Sequence, residues 1–258
     1  MPLPAPRPGS VDTILIEPPV SRLCVLGDPH GAVRETTAVM AREEDGRTRS
    51  CCVGDVVGYA DAQASSALAE RLERLAVPTV EGNHEQWVQP DGRLAIVERR
   101  GYSRTLSPNA LRWIRSLPTR IEFRQRASHR PLAVMIHSIR TPQWDWIGVG
   151  NARSVLEELD SPPILIAGHS HRPRFIVVPP LGQPSATAFD FEDRPEIVID
   201  LPSNGSSIID AGSLGRAELD SSPTAASRAD SRRRYGTYAM VDFELQIAIL
   251  RRQEMLGG

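Results

Sequence analysis

The stretch Leu23-Cys24-Val25-Leu26-Gly27-Asp28-Pro29-His30-Gly31 sets four apolar residues against a polar exit flanked by glycine. A short apolar run that stops this sharply reads as a buried strand ending in a loop. Beyond Gly31, the spacing of Val33, Thr37 and Met40 predicts an amphipathic helix ending at Gly46. The same unit recurs downstream. Cys51-Cys52-Val53 stops at Gly54-Asp55, and Leu68, Leu72 and Leu75 share one face of a predicted helix from about Asp61 to Ala76. Strand, loop and helix in alternation imply parallel pairing with crossover helices, hence an α/β fold.

The pattern extends to both ends of the chain. Val77 to Val80 reads as a third strand, broken by Glu81-Gly82-Asn83-His84. Ser107 as N-cap, Pro108 at the first helical position and the Leu106/Leu111 staple predict a helix before Leu117-Pro118. Thereafter β-like runs dominate: 132–136, 164–167, 175–178, 196–199, 207–209, 238–242 and 246–250. Segments 179–195 and 217–234 are rich in Pro, Ser, Ala, Asp and Arg and read as long surface loops. Residues 1–20 carry six prolines and one β-like run, Thr13 to Ile16, so they read as an extended lead-in to a single domain over 21–258.

Composition limits the function classes. The 258 residues are 40% hydrophobic and 24% charged, which suits a folded globular chain and excludes collagen-like or wholly disordered ones. All 30 basic residues are Arg, balanced by 32 acidic ones to a net charge of -2. A basic surface gripping long nucleic acid or an anionic membrane is therefore not expected. Cys24, Cys51 and Cys52 lie in or beside apolar runs without zinc or redox spacing, so they read as buried free thiols in a reducing compartment. With no apolar stretch of signal or membrane-spanning length, the expectation is a cytoplasmic protein.

Five predicted strands end in polar clusters: Asp28-Pro29-His30, Gly54-Asp55, Gly82-Asn83-His84-Glu85, His137-Ser138 and Gly168-His169-Ser170-His171. Loops at the carboxyl ends of strands are where open α/β sheets bind ligands, so five such clusters imply one shared site. Carboxylate, amide oxygen and imidazole form a ligand set suited to Mn²⁺, Fe, Zn²⁺ or Mg²⁺. Residues two apart on extended backbone point the same way, so Asp28 with His30, and His169 with His171, can enter one cavity. Each cluster alone has an ordinary reading as a turn, a cap or a core histidine. Five of the six histidines fall inside the clusters, however, which leaves only His129 as a surface residue.

In this order the motifs resemble those of the calcineurin-like metallophosphoesterases: Asp-x-His, Gly-Asp, Gly-Asn-His-Glu, His and Gly-His-x-His, over about residues 22–171. Ile208 to Arg216 resembles the family's Asn-Pro-Gly-Ser-Val-Gly segment, and Tyr235 to Asp242 its last strand pair. The resemblance implies two packed mixed β-sheets flanked by helices, with two divalent ions, Mn²⁺ foremost and Fe, Zn²⁺, Ni²⁺ or Mg²⁺ as alternatives. It places Asp28, His30, Asp55 and His171 on one ion and Asp55, Asn83, His137 and His169 on the other, with Asp55 bridging. A hydroxide between the ions would attack a phosphate ester, and His84 would protonate the leaving group or stabilise phosphoryl charge. Protein serine/threonine phosphatases carry an Asp and an Arg where this chain has Gly58 and Tyr59, which favours a small phosphodiesterase-like branch. Glu85 keeps open a protein phosphatase or a dinucleoside polyphosphate hydrolase, and a non-catalytic scaffold is a further alternative. Trp144 and Trp146 read as cover for the site's edge, and Arg216 and Arg232-Arg233-Arg234 as solvated charge. The expected partner is a small phosphate ester, with no long nucleic acid and no membrane.

Overall fold

A computed structural model describes residues 11–88, 106–126, 128–139, 144–188, 191, 194–215 and 235–254. Two mixed sheets pack face to face. The first runs β1 (Val11–Leu15), β4 (Arg120–Arg124), β5 (Ala133–Ile136), β6 (Ile164–Ala167), β10 (Ser206–Asp210), β7 (Arg174–Val178) and β8 (Ser185–Ala188). The second runs β3 (Thr48–Cys52), β2 (Arg22–Leu26), β11 (Tyr235–Asp242), β12 (Ile247–Glu254) and β9 (Glu196–Asp200). β5, β6 and β10 are mutually parallel, as are β2 and β3. Their carboxyl ends carry the polar clusters.

The period-two alternation of each strand sorts the core into three layers. Leu23, Val25, Cys51, Phe123, Met135, Ile166, Ile209, Ala239 and Leu250 point between the sheets. The alternate residues Cys24, Leu26, Cys52, Tyr238 and Met240 pack on α1 (Val33–Glu43), α2 (Ala62–Arg74) and α4 (Pro108–Ile114). On the other outer face, Val134, Ile136, Leu165 and Ile208 pack on α5 (Ala152–Glu158). The two-sheet α/β sandwich flanked by helices is thus the architecture observed. All three cysteines are buried and free.

Several local expectations change. Val77 to Val80 forms only a single bridge, Thr79 to Cys52, because Pro78 and the turn into Gly82 leave no length for a ladder. Ser185–Ala188 within the expected 179–195 loop pairs antiparallel with β7 as the sheet's last strand. The β-like run expected at Thr13 to Ile16 is met by β1, which pairs with an unexpected strand, β4, hidden in sequence by its charged ends Arg120 and Arg124. Ser107 caps α4 as expected and Asp61 caps α2, their side chains accepting the Ala110 and Ala64 N–H groups. Segment 217–234, Arg216 and the Arg232 to Arg234 run lie outside the described residues. No helix among the described residues is long and apolar enough to cross a membrane.

Phe123 is fully buried between the sheets. Phe123→Ala is expected to cost about 3–5 kcal/mol in urea unfolding, whereas Val198→Ala, 56% exposed on β9, should stay within about 0.5 kcal/mol.

Candidate metal centre

The loops leaving β2, β3, β5 and β6 converge with α3 (Asn83–Trp87) at one edge of the sandwich. The His30 N–H donates to the Asp55 carbonyl at 2.8 Å, the His169 N–H to Asp28 Oδ2 at 2.7 Å, and the Gly168 N–H to the His137 carbonyl at 3.0 Å. The clusters are therefore tied to each other through backbone as well as side chains. Of the seven expected ligands and His84, all come together here; His129 is exposed and remote in its loop.

Two groups of donor atoms form. Asp28, His30, Asp55 and His171 make one, and Asp55, His137 and His169 the other, with the ligand atoms of each group within 4.8 Å of one another. Asp55 belongs to both. Asn83 joins the second through its Oδ1, 3.1 Å from His137 Nε2. Imidazole tautomers follow from the hydrogen bonds. His30 Nδ1 faces the Val57 carbonyl at 3.1 Å, and His137 Nδ1 the Val53 carbonyl at 2.7 Å, so these nitrogens donate. Their Nε2 lone pairs then point into the site, where His30 Nε2 lies 2.9 Å from His171 Nε2. His169 is reversed: Nε2 donates to the Trp144 carbonyl at 2.8 Å, which leaves Nδ1 for the site. Backbone carbonyls orienting the outer nitrogen are what metal-ligating histidines require.

Electrostatics supply the test of fit. Burial, the Asp55 charge and the Asp210 charge hold Asp28 well above the usual carboxylate range, and burial pushes Asp55 up to about 8. Burial pushes His137 and His169 down to about 4, and burial with the neighbouring His84 and His171 pushes His30 down. Carboxylates that resist ionisation beside neutral imidazoles describe a pocket lacking positive charge. Asp28 Oδ1 is buried without a hydrogen-bond partner among the described residues. Lone pairs of His137 and Asn83 converge where neither donates. Divalent cations fit this donor set.

The backbone is strained at the same points. His30 (φ 42°), Asp55 (φ 51°), His169 (φ 72°) and His171 (φ 57°) all occupy the left-handed region that favours glycine. Such conformations persist where surroundings over-determine them. Three braces that sequence reasoning missed do this. Glu85 is fully buried, and its carboxylate accepts the N–H groups of Asp55 at 2.7 Å, Gly82 at 2.9 Å and Val57 at 3.0 Å. Asp210 accepts the Ser170 hydroxyl and the Gly212 N–H, holding the turn between His169 and His171. Ser213 Oγ donates to the Asp28 carbonyl at 2.7 Å. An adjacent carboxylate in a motif is a signal for such bracing, but its partners are backbone groups that no spacing rule reveals. Gly168 lacks a side chain because a Cβ there would meet Asp28 Oδ1.

His84 takes part differently. Its N–H donates to Asp55 Oδ1 at 3.0 Å, and its Nε2 lies 4.0 Å from Asp55 Oδ2 with the side chain 13% exposed. Its ring packs between Tyr59, at 5.0 Å, and Trp87, at 4.5 Å. Trp144 is buried, bonded through Nε1 to Gln86 Oε1 at 2.9 Å, and serves as cover, whereas Trp146 is 58% exposed.

No protein-family model matches the chain, and no curated protein sequence does. Solved structures do. The chain is similar to a metallophosphoesterase from Sphaerobacter thermophilus, with TM-score 0.65 and 21% identity over 91% of this chain and 89% of that one. It is also similar to a protein serine/threonine phosphatase from Saccharomyces cerevisiae, with TM-score 0.51 and 11% identity over 96% and 84%. A candidate diadenosine tetraphosphatase gives TM-score 0.50 and 14% identity over 96% and 99%. The chain has the calcineurin-like metallophosphoesterase fold.

Two outcomes follow for metal uptake. Because burial holds Asp28 and Asp55 above the usual carboxylate range and holds His30, His137 and His169 below the usual imidazole range, binding Mn²⁺ near neutral pH should release protons from the carboxyl groups. Calorimetry in buffers of different ionisation enthalpy measures this; apparent affinity should rise with pH across the neutral range, and zero release contradicts the assignment. Glu85→Gln, which replaces one of two acceptor oxygens by an NH₂ group aimed at backbone N–H, should weaken Mn²⁺ binding about 10–100-fold in the same titration.

Proposed function

We propose that this protein is a metal-dependent phosphoesterase acting on a small phosphate ester, most specifically a phosphodiester. The observation that carries the reading is the pair of buried donor groups that share Asp55. When bound, two divalent ions, Mn²⁺ foremost, supply Lewis acidity and lower the pKa of water held at the site.

The protein's own groups then have distinct tasks. Asp28, His30 and His171 hold one position, Asn83, His137 and His169 the other, and the Asp55 carboxylate is common to both. Donor groups this compact, each with ligand atoms within 4.8 Å of one another and sharing Asp55, suit one phosphoryl group of a small ester. His84 stands at the solvent side of Asp55 without belonging to either donor group, so it is placed to donate a proton to the leaving alkoxide or to stabilise phosphoryl charge. The backbone hydrogen bond to Asp55 and the flanking rings of Tyr59 and Trp87 fix where it points. A substrate of this size needs only local positive charge, which suits a chain of net charge -2. Long nucleic acid and membrane have no part in this reading.

The test is hydrolysis of bis-p-nitrophenyl phosphate and p-nitrophenyl phosphate with and without Mn²⁺. Turnover should depend on metal, stop with EDTA and favour the diester. His84→Ala should lower kcat about 10²–10⁴-fold while Mn²⁺ affinity stays within about threefold. Asp55→Ala should abolish both turnover and paired metal binding. Metal-loaded protein that turns over neither ester overturns the reading, and marked preference for a phosphopeptide or diadenosine tetraphosphate reassigns the substrate.

A further inference from the structure

Two aromatic side chains among the described residues stand largely in solvent, Tyr59 at 51% and Trp146 at 58% exposure. Both sit on loops of the candidate centre. Tyr59 follows Asp55 by four residues, and Trp146 follows by two residues Trp144, whose carbonyl holds His169. Solvated aromatic surface has no reason of stability to gather there.

Tyr59 is also fixed in place. It has φ 53° directly after Gly58 at φ 103°, so two consecutive residues adopt left-handed backbone. Gly58 must be glycine for a second reason, since a Cβ would overlap the His84 ring. The turn leading into this pair is clamped on both sides. The Val56 carbonyl accepts the Gly31 N–H at 2.8 Å, the Val57 carbonyl faces His30 Nδ1, and the Val57 N–H goes to buried Glu85. The result aims the phenol ring at the centre's rim. It lies 4.6 Å from the His30 ring at 73°, 5.0 Å from His84 at 54°, and 6.1 Å from His171 at 82°. One side of the ring thus rests on three imidazoles while the rest faces solvent.

Phosphoryl oxygens seek cations and hydrogen-bond donors, which the donor groups and His84 serve. A flat, preordered ring beside them suits instead the group attached through the ester oxygen. Aromatic faces recognise other flat rings by stacking, with little ordering cost for a side chain of two torsions. We propose that Tyr59 is the wall of a substituent subsite beside the first donor group, which selects phosphoesters bearing a flat aromatic ring, a nucleobase or an aryl group, over aliphatic ones. This rests on reading the centre as a phosphoesterase site.

The experiment titrates the wild-type protein, Tyr59→Leu and Tyr59→Phe, each supplied with Mn²⁺, with AMP, phenyl phosphate and glycerol 3-phosphate by calorimetry. In parallel, kcat/KM is measured on thymidine 5′-(p-nitrophenyl phosphate) and on glycerophosphocholine. Wild type should bind an aromatic phosphate about tenfold more tightly than glycerol 3-phosphate. Tyr59→Leu should lose that ratio, with the loss in the kinetic arm falling on KM, and Tyr59→Phe should keep it. AMP against phenyl phosphate tells a nucleobase from a simple aryl group. The proposal is overturned if wild type shows no aromatic preference or if Tyr59→Leu retains it. If no ester is hydrolysed but the binding ratio behaves as stated, the phosphoesterase reading fails and the subsite stands; turnover without any ring preference gives the reverse.

Discussion

A carboxylate taken out of water and shared by two sets of imidazoles is the constraint on which this structure turns. Asp55 is buried, has its own N–H engaged by Glu85, and sits in left-handed backbone beside a second buried carboxylate, Asp28. Two such groups cannot both ionise in a low-dielectric pocket without positive charge close by. Protons can supply it, and so can cations; the lone pairs of His137 Nε2 and Asn83 Oδ1, which face each other at 3.1 Å with no proton between them, suit the second. Strain at four donor positions adds a cost of order 1–3 kcal/mol each. The three-layer core, through the ladders that end at each loop, holds these residues where local preference would not.

The centre straddles both sheets, and this gives it rigidity. Asp28 and Asp55 come from the sheet built on β2 and β3, while His137, His169 and His171 come from the sheet built on β5 and β6. The hydrogen bonds from His169 to Asp28 and from Ser213 to the Asp28 carbonyl cross between them. A site assembled this way is sensitive to how the two sheets pack, so residues between the sheets such as Met135 and Ile209 bear on the chemistry without touching it.

Much of this was legible because the informative residues are punctuated. Short apolar runs stopping at Gly-Asp or His give both strand ends and donors, and Ser107 with Pro108 fixes a helix start. What was not legible follows from local signals that are absent or opposed. β4 begins and ends in arginine, β8 consists of Ser, Ala and Thr in a Pro-flanked segment, and α5 is too short for a clear apolar face. These elements form because a neighbouring strand or sheet face is available, which is tertiary context. The donor residues were visible as a set; their tautomers, left-handed backbone and bracing by Glu85, Asp210 and Ser213 depend on backbone atoms far apart in sequence.

Glu85 shows why a motif letter can mislead about substrate. In sequence it links the chain to phosphatases and dinucleoside polyphosphate hydrolases. In the fold both its oxygens face backbone N–H groups of Asp55, Val57 and Gly82, and none of its surface reaches solvent. A group so placed can set the position of Asp55 but cannot reach a ligand's substituent, so under the phosphoesterase reading its presence does not favour one ester over another. Under the proposed reading the same holds for the donors, which would meet only the phosphoryl group common to every candidate substrate. On that reading discrimination falls to side chains that reach solvent beside the donors, and in the loop after Asp55 the proposal assigns it to Tyr59, 51% exposed against the His30 ring.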